Sequence, residues 1–107
     1  MHRLTKDEVW HFYLGDSAQM LLIYPDGQYQ IITLGNDIID KNEILQYVIF
    51  EGIWFGAKID RINCGYSLFG ATVSPGFEYQ DFTLAQRDEL IEQFPDLQEL
   101  IIQYTYS

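Results

Sequence analysis

Near its N-terminus this 107-residue chain gathers the few side chains that could do chemistry together. His2, Glu8, Trp10 and Phe12 are all even-numbered, so on a single extended strand they share one face, while His11 falls on the other. His2 and Glu8 can therefore converge on one ligand, whereas Glu8 and His11 on an unbent strand cannot. A zinc or non-haem iron centre usually takes about three protein groups of the imidazole and carboxylate kind. His2 and His11 are the only histidines and no third donor is evident, so the expectation is a site with no metal and no other cofactor. A carboxylate at an inward position must be hydrogen-bonded, paired or protonated, which makes Glu8 the residue in most need of an explanation. His2 as a general base with Tyr13 or Tyr66 as the acid is the arrangement an isomerase would need. Parity does not favour Tyr13, which lies opposite Glu8 on its strand.

The elements that must position these groups are short strands. Turn signals at Gly15-Asp16, Pro25-Asp26-Gly27, Gly35-Asn36-Asp37, Glu51-Gly52 and Asn63-Cys64-Gly65 separate six β-rich runs, Glu8–Leu14, Gln19–Tyr24, Gln28–Leu34, Ile44–Phe50, Ile53–Asp60 and Tyr66–Val73. Six strands in so short a stretch point to a sandwich or barrel. Pro25 presets φ for a turn and Gly27 takes the left-handed position after it, closing a hairpin between Met20–Tyr24 and Gln28–Ile32. In Ile53–Asp60, Lys58 and Asp60 share a face with Trp54 and Gly56, which leaves Ile53, Phe55, Ala57 and Ile59 as the inner set.

From Thr83 the periodicity turns helical. Thr83 and Gln86 have capping-box spacing, Leu84, Leu90, Ile91 and Phe94 recur on one face, and Pro95 both ends this helix and opens a second. The expected organisation is a single domain, with a β portion over 1–82 and a helical tail over 83–107. Six acidic residues from Asp81 onward, five of them within the tail, against Arg87 make the outer face of that tail negative, and its apolar face is expected to cover the sheet.

Composition removes several classes of function. The formal net charge of −10 would repel phosphate backbones, so nucleic acid and anionic membranes are not expected partners. Cys64 is the only cysteine, which rules out an intrachain disulfide and a cysteine metal cluster. No apolar run approaches the ~20 residues of a membrane helix, and the first residues lack the apolar core of a signal peptide, so a cytoplasmic location is the default expectation. Seven Phe, eight Tyr and two Trp give an aromatic content of 16%, and these rings either fill the core or line a pocket.

The spacing His2-x-Leu4-x-x-x-Glu8 followed by Gly15 resembles the first cupin motif, with Leu4 where that motif has its second histidine. Phe50-Glu51-Gly52-Ile53-Trp54-Phe55 resembles the second motif, with Phe50 for its proline and Phe55 for its histidine. More narrowly, Asp7 through Asp16, Gly52 through Ala57, Gly65 through Phe77, and Asp81-Phe82 leading into Arg87-Asp88-Glu89-Leu90 resemble the uncharacterised cupin family called domain of unknown function 985. The resemblance implies a mainly β fold, a double-stranded β-helix or cupin jelly roll with one or two short C-terminal helices, similar to the barrels of sugar-nucleotide epimerases. It also implies a homodimer. Members of that family carry a further stretch before the position of His2, so an incomplete barrel is expected. With both imidazole positions apolar, the expected function is binding of a small organic ligand in an apolar pocket lined by Trp10, Phe12, Phe50 and Phe55, with His2 and Glu8 at its polar edge. The alternatives are an isomerase or epimerase of the sugar-nucleotide type, and a structural role without a ligand.

Overall fold

The computed structural model describes residues 1–59, 66–74, 82–84 and 86–105. The Asn63-Cys64-Gly65 turn and the stretch 75–81 lie outside them. Among the described residues there are eight strands: β1 (His2–Leu4), β2 (Asp7–Gly15), β3 (Ala18–Ile23), β4 (Tyr29–Leu34), β5 (Gln46–Ile49), β6 (Trp54–Ile59), β7 (Ser67–Ser74) and β8 (Phe82–Leu84). They form a five-stranded sheet in the order β4-β3-β6-β1-β8 and a three-stranded sheet in the order β5-β2-β7. All of the strand pairs are antiparallel.

The six strands read from the sequence are all there. The hairpin of β3 and β4 has the expected register, with Met20 opposite Ile32. Its turn is closed by Gly27 N–H donating to Tyr24 O (3.0 Å) and Tyr24 N–H donating to Gln28 O (2.9 Å), and Gly27 takes φ +89°. A side chain at that φ would be strained, which is why glycine stands there.

β3 explains how the layers are arranged. Met20, Leu21, Leu22 and Ile23 are all fully buried, so this strand is covered on both of its faces. Met20 and Leu22 point into an inner core shared with Phe12, Ile32, Leu34, Ile49, Ile53 and Phe55, which draws on both sheets. Leu21 and Ile23 point the opposite way, into an outer core with Met1, Trp54, Leu90, Phe94, Leu97, Ile101 and Tyr104. The outer core is roofed by α1 (Arg87–Gln93), a single 3-10 turn at Pro95–Leu97 and α2 (Gln98–Tyr104). Arg87 fastens the two helices together. Its guanidinium donates to Ile102 O (3.1 Å), Thr105 O (2.6 Å) and Thr105 Oγ1 (2.8 Å), placing a cation where the last carbonyls of α2 are unsatisfied.

Two expectations are corrected. The capping box at Thr83 does not exist: Thr83 and Leu84 belong to β8, where Thr83 pairs with Arg3, and α1 starts only at Arg87 after an extended Gln86. Local spacing lost here to strand pairing with β1, a contact some eighty residues away in sequence that no local signal reveals. Nor do His2 and Glu8 lie on one strand. The chain bends at Thr5-Lys6, so that β1 joins the five-stranded sheet and β2 the other. The bend uses two residues and so preserves parity, and even-numbered residues point inward on both sides of it.

Candidate functional site

Strand register brings the site together from two opposed rows. Across the five-stranded sheet, Gln30, Leu22, Phe55, His2 and Leu84 stand opposite one another on successive strands. Across the three-stranded sheet, Tyr47, Trp10 and Ala71 do the same, with Glu8 between Ile49 and Val73 one step along and Phe12 beside Phe69 one step the other way. Directly opposed residues share a face, so each row carries its side chains into the space between the sheets.

The rings meet edge to face. His2 and Phe55 have centroids 4.1 Å apart, Trp10 and Phe55 6.0 Å, Trp10 and Phe69 5.6 Å, and Phe12 and Phe69 5.8 Å, with interplanar angles from 64° to 82°. This is the geometry the aromatic quadrupole favours. His2, Trp10, Phe12 and Phe55 are thus one continuous cluster that includes groups from both sheets. Phe50 is not part of it. It follows β5 with Val48 and the outward-facing side of that strand and is 61% exposed, because the inward residues of β5 are Tyr47 and Ile49. Phe69 and Tyr47 belong with the cluster and were not singled out from sequence; alternation with Ala71 and Val73 would have placed Phe69 inward only once its pairing with Phe12 was known.

Of the expected inner set on β6, Ile53 and Phe55 are buried in the inner core, while Ala57 on the same face is exposed. Trp54 faces outward but is buried under the helices. One flank of the sandwich is stitched shut, since the Tyr24 and Tyr47 hydroxyls both donate to Gln30 Oε1, at 2.9 and 3.3 Å. On the opposite flank Ala71 of β7 and Leu84 of β8 reach solvent, Leu84 at 62%.

Two polar groups in this interior have unusual electrostatics. Glu8 is only 6% exposed, and burial pushes its carboxyl above the usual carboxylate range, an effect the nearby Trp10 indole partly offsets. The indole is close without making a hydrogen bond of good geometry, and both Glu8 Oε2 and Trp10 Nε1 are buried with no hydrogen-bond partner. Each such atom costs about 1–3 kcal/mol of desolvation. Burial against Phe55, and secondarily the Met1 ammonium, lowers His2 to about 4, so its imidazole is neutral at physiological pH. Two further acids, Asp16 and Glu43, are buried, and no sequence signal marks Glu43 as such. Its carboxylate accepts the Asp37 N–H (3.1 Å) in the turn after β4, a structural task away from the interior.

A cupin metal does not fit the residues present. Leu4 is buried apolar, Phe55 supplies no lone pair, and among the described residues no three His, Cys, Asp or Glu side chains converge. Tyr13 and Tyr66 do not join His2 either. Tyr13 lies on the outer face of the three-stranded sheet, stacked on His11 at 6.5 Å, and both tyrosines are exposed. Among the described residues no helix is long and apolar enough to cross a membrane.

A family model described as "Cupin superfamily (DUF985)" matches residues 1–85. The uncharacterized protein YML079W of Saccharomyces cerevisiae is 30% identical over 88 residues, which are 78% of this chain and 43% of that one. Among solved structures, protein SO0799 from Shewanella oneidensis superposes with a TM-score of 0.91 at 33% identity, over 98% of this chain and 65% of that chain. A hypothetical protein from Leishmania major gives 0.89 at 32% identity, over 99% and 68%. The chain thus spans less than half of the yeast protein and about two thirds of the two solved chains.

Proposed function

The chain belongs to the DUF985 family of the cupin superfamily, and from that premise we propose that it binds a small organic ligand between its two sheets without a metal. The observation that carries this reading is the ring cluster of His2, Trp10, Phe12, Phe55 and Phe69, bounded by the Tyr24-Gln30-Tyr47 hydrogen bonds, with Ala71 and Leu84 of the same inward rows reaching solvent. Concave apolar walls with a few polar groups are the usual composition of small-molecule sites. His2 and Glu8 form the polar edge.

Ala71 stands directly opposite Trp10 on β7 and is exposed, so a large side chain there lies over the ring cluster without entering the packed core. Saturation-transfer NMR with a mixture of neutral aromatic fragments is expected to detect binders to the native protein and to lose them in Ala71→Trp at an unchanged melting temperature. Equal binding by both proteins, or no binder for either, would contradict the proposal.

We further propose that the protein works as a homodimer in the cytoplasm, with no nucleic-acid or membrane partner. Val48, Phe50, Tyr13 and Leu68 leave the outer side of the three-stranded sheet apolar and exposed, the kind of surface a second copy covers.

A further inference from the structure

The interior's two unmatched polar atoms narrow what it can receive. Glu8 and Trp10 are two residues apart on one face of β2, about 7 Å along the strand. Glu8 Oε2 can accept a hydrogen bond and Trp10 Nε1 can only donate one, and neither is reached by solvent. Buried polar atoms in native proteins are almost always satisfied, so an adjacent orphan acceptor and orphan donor define the complement they lack.

We infer that the interior is built for an uncharged ligand that carries a hydrogen-bond donor and acceptor side by side on a flat apolar body, as a ring-bound primary carboxamide or lactam does. This rests on the reading of the interior as a ligand site. The N–H of such a group meets Glu8 and its carbonyl meets the Trp10 indole, while the flat body lies against Phe55 and Phe69. An anion is disfavoured, since it would face the Glu8 carboxyl in a site with little solvent to screen it. An organic cation would pair with Glu8 but leave the indole N–H unmatched and facing like charge. A plain hydrocarbon would satisfy neither atom. Trp54 Nε1 is also buried without a partner, but its ring lies under the Arg3 guanidinium (4.5 Å) and packs with Met1, Leu21 and Ile23, and among the described residues no orphan acceptor stands beside it. Among the described residues the pairing of opposite needs is confined to the inner core.

The test is calorimetric titration of the full chain with benzamide, benzoate, benzylammonium and toluene, four probes of nearly one shape. Benzamide is expected to bind at least about ten-fold tighter than each of the others, a margin of about one hydrogen bond to a buried group. Trp10→Phe should weaken benzamide about ten-fold and leave toluene unchanged, which separates loss of the donor from loss of packing. Toluene binding as well as benzamide, or benzylammonium or benzoate binding best, would overturn the ligand class while leaving the interior as a site. Failure of all four probes to bind would overturn the ligand class and count against the site itself.

Discussion

The molecule has two apolar cores separated by one sheet, and they are finished differently. The outer core, between the five-stranded sheet and the helices, is closed by Leu90, Phe94, Leu97, Ile101 and Tyr104, and among the described residues no buried carboxylate belongs to it. The inner core, between the two sheets, contains Glu8, borders on His2 and Trp10, and meets solvent at Ala57, Ala71 and Leu84. Both are lined by similar side chains, and β3 gives alternate residues to each. What separates them is that the outer core leaves only a donor unmatched among the described residues, Trp54 Nε1, whereas the inner one retains an acceptor and a donor on one strand face. The first is organised for stability and the second leaves free energy to be recovered by something that enters.

The comparison breaks most visibly in the outer core. Ile101→Ala should cost about 2–5 kcal/mol by urea unfolding, because Ile101 is fully buried and the helices above it can collapse only in part. Probe binding to the folded fraction should be unaffected; a loss of affinity that follows the loss of stability would show that the two cores are not independent.

In the inner core the sign reverses. Glu8→Leu keeps the approximate shape and removes a buried carboxyl whose Oε2 has no partner, so it should raise stability by about 1 kcal/mol at neutral pH while abolishing benzamide binding. The gain should depend on pH. The Glu8 pKa is raised in the folded state, so the native side chain contributes its stability at pH values below the unfolded carboxyl range near 4.5 and loses it as pH rises through the folded value. Leucine's advantage should therefore grow from acidic to neutral pH. An advantage that is constant with pH would mean that Glu8 is satisfied in the folded protein.

His2 should show the opposite limb. Its folded pKa is lowered to about 4, so its contribution is complete above 6.5 and is lost as pH falls toward and through about 4. In a comparison of denaturation midpoints across that window, the native protein should lose stability relative to His2→Leu as the solution is acidified. Parallel profiles would place the imidazole in water, away from Phe55.

The smallest effect is expected on the exposed side of the three-stranded sheet. Phe50→Asp should change stability by less than about 0.5 kcal/mol, since the ring is mostly in solvent. Sedimentation velocity should nevertheless show a shift from dimer to monomer. If the native chain sediments as a monomer, that face is not the contact between copies.

Much of the architecture was legible because it is written locally. Pro25-Asp26-Gly27 fixed a hairpin and its register, and alternation in Ile53–Asp60 put Phe55 inside. The tail's apolar spacing anticipated helices laid on a sheet. The errors arose wherever pairing at long range decides. Thr83 has the spacing of a cap, yet its backbone is taken by Arg3; Phe50 sits where a motif has its proline, yet Ile49 takes the inward position opposite Glu8. Glu8 and His2 were placed on one face for a reason that held only because the bend at Thr5-Lys6 happens to use two residues. The near approach of Trp10 to Glu8 without a hydrogen bond of good geometry goes with ring contacts to Phe55 and Phe69, and no spacing rule reveals it.

The chain has two tryptophans, one in each core, and their indole N–H resonances report on the two cores separately. Titration of the 15N-labelled protein with benzamide is therefore the most direct measurement. The account predicts that the Trp10 indole proton moves downfield as it gains an acceptor while that of Trp54 stays in place. An unmoved Trp10 at saturation, or a shift confined to Trp54, would contradict it.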